Sequence, residues 1–179
     1  MKKQMKKHTL FIGISGKMGT GKSTVSKLIR KSLDKSVISS IASPLYKAQD
    51  LIYKEYGLTL EGEKDRDLLI ALGLWGRNKS PDFWLEQFVK RAIEGRAEIV
   101  ICDDIRFENE AKFFEENGVL IRLEGAQRGD NVDYSRADDK TETSLDNYKF
   151  KNVIINIDKS PEEICLDIAC ILMGKELVG

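Results

Sequence analysis

Eight residues, Gly16 to Ser23, read GKMGTGKS. Glycines at Gly16, Gly19 and Gly21 let the backbone wrap closely around an anion, so that successive N–H groups point at it. Lys22 adds a full positive charge, and a helical pattern leaving at Ser23 adds the partial charge of its N-terminus. The spacing is G-x-x-x-x-G-K-[ST], and its context is the required one, since the apolar run TLFIGI (9–14) feeds into the loop as a strand. A polyphosphate is the ligand such a turn suits. Gly16, Lys17, Gly19, Thr20, Gly21, Lys22, Ser23 and Thr24 are therefore expected to hold ATP, with Lys22 bridging the terminal phosphates and Ser23 ligating Mg²⁺. Lys17 sits inside the loop, near where two phosphates must meet.

A second set of chemical groups lies in CDDIRFENEA (102–111), at the end of another strand-like run. Open α/β sheets place ligands at the carboxyl ends of their strands. Asp103 and Asp104 are placed to organise the Mg²⁺ shell or to accept a proton, and Arg106 to clamp an anionic acceptor bidentately. Two classes of nucleotide protein are excluded. A GTPase switch needs Asp-x-x-Gly after this strand and an NKxD guanine reader, whereas NKSP (78–81) lacks the aspartate. A motor ATPase needs a longer chain with more modules. A small-molecule kinase fits, because it requires only an acceptor site, arginines to neutralise migrating charge and a lid to exclude water.

The elements that must position these groups alternate. Strand-like runs occur at 9–14, 36–42, 98–104, 118–124 and 151–157. Helical patterns span Ser23–Leu33, Pro44–Tyr56, Glu61–Leu74, Pro81–Glu94, Arg106–Asn117 and Ser160–Met173. The last opens SPEE, a capping serine followed by a first-turn proline and acids. Alternation of this kind predicts an α/β fold with a parallel sheet covered on both faces. The two consecutive helical patterns at 61–94 exceed what a simple crossover needs and read as a substrate-side insertion. Residues 125–143 are polar and read as a surface loop or as a mobile lid, the lid being slightly favoured by Arg128, Arg136 and Lys140.

The 179 residues carry 29 basic and 29 acidic side chains, a balance that gives no global field for nucleic acid or an anionic membrane. The basic start MKKQMKKH reads as a solvated tail and lacks the apolar stretch of a secretory signal. No apolar run is long enough to span a bilayer. Cys102, Cys165 and Cys170 read as buried thiols of a reducing compartment, and the expected location is the cytoplasm.

Taken in order, these pieces resemble the phage-type deoxynucleoside monophosphate kinases, a branch of the P-loop nucleoside monophosphate kinase superfamily. SGKMGTGKST is followed by IASPLYKA (41–48), similar to the family's substrate loop, and by LLIALGLWGRNKSPDFWLEQF (68–88), similar to its helical insertion. DDIRFENEA resembles D-x-R-F-x-N-E-A, aligning Asp104 with the family's aspartate, and TETSLDNYKFKNVIIN (141–156) resembles the S-E-x-x-L-D segment and final strand. The resemblance implies a single P-loop NTPase domain over 1–179, with a five-stranded parallel sheet, a tail (1–8), a helical substrate-side region (44–94) and a lid (125–143). It implies transfer of the ATP γ-phosphoryl group to a deoxynucleoside monophosphate, giving the diphosphate, in host cytoplasm if the chain is phage-encoded.

By motif match, Lys22, Asp104, Arg106 and a lid arginine, Arg128, are the implied catalytic groups. Ser23, Asp103 and Asp104 are the implied metal side, and Ser43, Lys47, Arg77, Trp84, Arg106 and Glu142 the implied acceptor side. Trp84 and Phe107 read equally as base-stacking or core aromatics. The chain departs from the family in having Asp139 where a histidine is common, Tyr46 where a lysine is usual, and no arginine–proline pair after residues 118–124, so Arg128 or Arg136 takes the lid role. A homodimer is left open, as are a different small acceptor such as dephospho-coenzyme A and a non-catalytic nucleotide-binding module.

Overall fold

The computed structural model describes residues 9–62, 64–125 and 143–176. The lid segment, with Arg128, Arg136, Asp139, Lys140 and Glu142, lies outside them.

Strand β1 (Leu10–Gly16) occupies the centre of a five-stranded, all-parallel sheet of order β2-β3-β1-β4-β5. The others are β2 (Ser36–Ile38), β3 (Ile99–Cys102), β4 (Gly118–Glu124) and β5 (Val153–Ile155). The continuous apolar runs read from the sequence have the burial that a doubly covered sheet requires, and Phe11, Ile12 and Ile14 are fully buried. Register places Gly13 beside Cys102 and beside Leu120. A side chain at Gly13 would sit 2.5 Å from Ile105 Cδ1 and 2.8 Å from the Phe114 ring, so the missing Cβ brings the segment after β3 tight against β1.

Six helices cover the sheet among the described residues: α1 (Lys22–Ser32), α2 (Ser43–Glu55), α3 (Arg66–Lys79), α4 (Phe83–Glu94), α5 (Glu108–Asn117) and α6 (Pro161–Glu176). Pleat alternation divides the core. Ile12, Ile14, Ile101 and Ile121 face α1 and α6 through Val25, Ile29, Ile164 and Ile168. Phe11, Val100, Cys102 and Leu120 face α2, α4 and α5 through Leu45, Phe88 and Phe114. The helices that follow β1 and β3 therefore lie on opposite faces, so the strand order reverses at the carboxyl ends of those two neighbouring strands. This is the switch point at which open α/β sheets bind ligands.

Helix α3 begins five residues later than the sequence pattern predicts. Asp65 caps it by accepting a hydrogen bond from Leu68 N at 3.0 Å, and α2 holds that cap in place. Gln49 Oε1 accepts from Asp65 N (2.8 Å) and Tyr53 OH donates to Asp65 Oδ2 (2.7 Å). Strand β2 ends at Ile38 rather than continuing to residue 42, because the chain there turns away to bind Asp104. Of the three free cysteines only Cys102 is buried; Cys165 is half-buried and Cys170 exposed, which corrects the expectation of three buried thiols.

Trp84 settles into the seam between α3 and α4. It is 7% exposed, its Nε1 donates to Gly73 O at 2.9 Å, and its ring packs edge-on to Phe83. The base-stacking role is therefore corrected: the indole is a core group whose one polar atom is satisfied inside the seam. Gly76 lies against the same ring, and a Cβ there would stand 2.5 Å from it. Gly76→Ala should lower stability by about 1–3 kcal/mol through overpacking, read as a fall in Tm with unchanged ATP affinity. An unchanged Tm would mean that the seam is loose.

Candidate functional site

The glycine-rich loop leaves β1 and enters α1 with the backbone its sequence demands. Gly19 and Gly21 adopt φ of 81° and 84°, a left-handed conformation that side chains resist. A Cβ at Gly16 would stand 2.6 Å from Thr20 Oγ1 and 2.8 Å from Leu123 O. The loop is braced internally by Thr20 Oγ1, which donates to Lys17 O at 2.9 Å, and externally by Asn156 beyond β5, whose Nδ2 donates to Thr20 O at 2.8 Å. Thr20 is itself buried, so it shapes the loop. Ser23 and Thr24 are exposed in the first turn of α1.

Lys22 folds back over the loop, its Nζ donating to the carbonyl oxygens of Gly16 and Lys17 at 2.8 Å each. Its pKa falls from 10.5 to about 8, first because burial strips the ammonium of water, then because Arg106 stands near it. Asp103 acts in the opposite sense, and Arg122 again lowers it. Lys22 thus feels the charges of two guanidiniums and one carboxylate. Such a cluster fits a polyanion. Lys17 forms an ion pair with Asp146, a residue that the sequence reading passed over within its S-E-x-x-L-D segment.

The two aspartates after β3 do different work. Asp104 Oδ2 accepts from Ser40 Oγ (2.6 Å) and Ala42 N (2.9 Å), and its Oδ1 from Ile41 N and Cys102 Sγ (3.0 Å each). Both oxygens are committed to the turn that opens α2, and Arg91 secures the same turn by donating to Ser40 O at 2.8 Å. Asp104 therefore positions the turn. Asp103 is the aspartate whose charge is felt at Lys22.

Arg106 is fixed through its backbone. Its N–H donates to buried Glu110 Oε2 at 2.7 Å, and its carbonyl accepts from Ser144 Oγ at 2.5 Å. Glu110 also accepts from Phe107 N at 3.0 Å, closing the first turn of α5. Burial, ahead of all other causes, raises the Glu110 pKa to about 7. Arg77, at the far end of α3, stacks its guanidinium 3.9 Å above the Phe107 ring, and Glu110 draws it electrostatically. Lys22, Asp103 and Arg106 are thus within electrostatic reach of one another, and Phe107, next to Arg106, carries Arg77 on its ring. Ser43 opens α2, with its N–H 3.4 Å from Ser40 O, and Lys47 is exposed one turn on.

Arg122 on β4 was missed by the sequence reading, which took 118–124 as core and sought a lid arginine beyond it. Its only signal was an arginine inside an apolar strand.

Solved structures share this architecture. They include shikimate kinase from Aquifex aeolicus, at 18% identity and TM-score 0.55, covering 95% of this chain and 100% of that one. Shikimate kinase from Acinetobacter baumannii in complex with shikimate matches at 14% identity and TM-score 0.53, over 94% and 96%. A gluconokinase from Sinorhizobium meliloti matches at 13% and 0.50, over 95% and 97%. The chain has the P-loop kinase fold. At these identities the likeness is one of fold alone. No protein-family model matches the sequence, and no curated protein is similar enough to match. No helix among the described residues is long and apolar enough to cross a membrane.

Proposed function

We propose that the protein is an ATP-dependent phosphotransferase of the nucleoside monophosphate kinase type, moving the γ-phosphoryl group to a deoxynucleoside monophosphate. The observation that carries this reading is the excess of positive charge about the glycine-rich loop: Lys22 lies over the loop, the charge of Arg106 is felt at Lys22, and Arg77 lies on the ring of Phe107, the residue after Arg106. A triphosphate suits the loop and Lys22, and Arg106 and Arg77 would meet a phosphate-bearing acceptor. Kinases among the structural neighbours support the chemistry in general, and the ordered family-like motifs support the nucleotide acceptor.

In this reading Lys22 binds and follows the transferring group, while Arg106 and Arg77 screen repulsion between the two anions. A monophosphate acceptor is already nucleophilic near neutral pH, since its second pKa is about 6, so the chain need supply no strong base. Ser23 and Asp103 are the residues that would hold Mg²⁺, which when bound supplies neutralisation of phosphate charge. Among the described residues no group of three or more His, Cys, Asp or Glu could hold a metal ion. A Mg²⁺ ion that arrives with the phosphates and keeps several waters fits that donor set.

A second reading, transfer to a hydroxyl acceptor, draws on Asp103, which lies close enough to act on Lys22 and could take a hydroxyl proton. The deciding experiment is a coupled ADP-release assay over the four deoxynucleoside monophosphates, the ribonucleotides, dephospho-coenzyme A, shikimate and gluconate. At least one deoxynucleoside monophosphate is expected to raise ADP release well above ATP alone. Stimulation by the hydroxyl acceptors only would overturn the nucleotide assignment.

A further inference from the structure

Arg122 projects from β4 at the register of Ser15, the residue immediately before the phosphate loop. Its side chain is only 8% exposed. A guanidinium so removed from water costs several kcal/mol unless its charge is met. The described residues meet it thinly. Its Nη1 donates to the Ser15 hydroxyl at 3.1 Å, and Phe150 offers a ring 5.2 Å away. Its buried Nε has no hydrogen bond, and Glu124 Oε1, on a side chain 53% exposed, lies 3.5 Å off. A buried guanidinium behind a glycine-rich loop, met by one hydroxyl and a half-exposed carboxylate, makes a poor fold element and a good anion site.

We propose that Arg122 is a built-in electrostatic element of the phosphate site, a guanidinium held behind the loop whose charge is completed by the triphosphate tail that the loop cradles. It acts through Ser15 and the loop as a positioning residue, with Glu124 as its provisional counter-ion. The proposal rests on the reading of the loop as a triphosphate site, and is independent of which acceptor is used.

The test uses the full chain and inorganic tripolyphosphate, which isolates the phosphate site from base and acceptor. Arg122→Gln, which keeps a donor for Ser15, is expected to bind tripolyphosphate about tenfold more weakly, whereas Arg122→Lys should stay within about threefold of the wild type. Binding by Arg122→Gln within twofold of the wild type, or Arg122→Lys as weak as Arg122→Gln, overturns the proposal.

Should the strand variants fail to fold, the half-exposed Glu124 provides the reciprocal experiment. Glu124→Gln removes the provisional counter-ion, so tripolyphosphate should raise its Tm by more than it raises that of the wild type; an equal rise overturns the proposal. Weakened tripolyphosphate binding without transfer to any acceptor would sink the kinase reading and leave this inference standing. Normal binding by Arg122→Gln in an active deoxynucleotide kinase would do the reverse.

Discussion

Lys22→Met will abolish phosphoryl transfer, by at least about 10²–10³ in kcat/KM, without unfolding the protein. Both halves come from the same local physics. In the folded chain the ammonium is largely buried and faces Arg106 and Arg122, so its pKa drops from 10.5 to about 8. A lysine with a depressed folded pKa is a liability below that value: the cost is fully present at pH 7, and stability rises as pH climbs from 8 towards 10.5. Methionine removes that cost and loses the two hydrogen bonds to Gly16 and Lys17, opposing changes of similar size. The Tm should therefore stay within a few degrees of the wild type.

A triphosphate brought beside the ammonium restores its affinity for the proton. ATP binding at pH 9, where about nine in ten free Lys22 side chains would be neutral, should accordingly take up most of one proton in the wild type and none in the variant. Calorimetry in two buffers of different ionisation enthalpy reads this directly. Equal proton uptake by the two proteins, or a variant that still turns over, would remove Lys22 from the phosphate site.

That the backbone of the glycine-rich loop was legible in the sequence while the partners of Asp104, Trp84 and Arg122 were not has a physical explanation. The loop is local. Eight consecutive residues set its backbone, and Gly19 and Gly21 adopt the left-handed conformation that their identity allows. The strands were legible for a related reason, since burial on both faces leaves an uninterrupted apolar run. Asp103 and Asp104 could not be told apart, because what separates them is the turn 40–42, more than sixty residues away in sequence, which donates to one carboxylate and not the other.

Trp84 stood between two readings for the same reason. An amphipathic helix gives its period but not its partner, and only the notch at Gly76 reveals that the ring is spent on packing. Arg122 hid inside a strand that reads as core, and its significance depends on the neighbouring strand's Ser15 and on Lys22. Asp146 meets Lys17 across the fold, a pairing that spacing does not encode. Short-range chemistry was readable; the charges that tune it arrive from elsewhere in the chain.

Glu110→Gln will flatten the pH dependence of stability between about pH 4.5 and 7. Glu110 is 4% exposed and accepts two backbone N–H groups at the start of α5. Burial is the largest influence on it and raises its pKa from 4.5 to about 7; the amides of Arg106 and Phe107 and the charge of Arg77 oppose that rise, and Asp104 adds to it. Cys102, fully buried on β3, also feels its charge.

The sign follows from proton counting. Between the two values the folded state holds the proton and the unfolded state does not, so stability falls as pH rises. The contribution is complete below pH 4.5 and gone above 7, and a gap of this size corresponds to about 3 kcal/mol. Glutamine keeps a carbonyl oxygen for the two amides and titrates nowhere in the range. Urea midpoints at pH 5 and pH 8 should therefore differ less in the variant than in the wild type, the variant gaining relative stability at pH 8. The same carboxylate orders the backbone of Arg106 and draws Arg77, so acceptor KM should rise in the variant more than ATP affinity changes. If the two proteins lose stability equally between pH 5 and pH 8, Glu110 is ionised in the folded state throughout, and its place beside Arg106 and Arg77 is that of an ordinary helix cap.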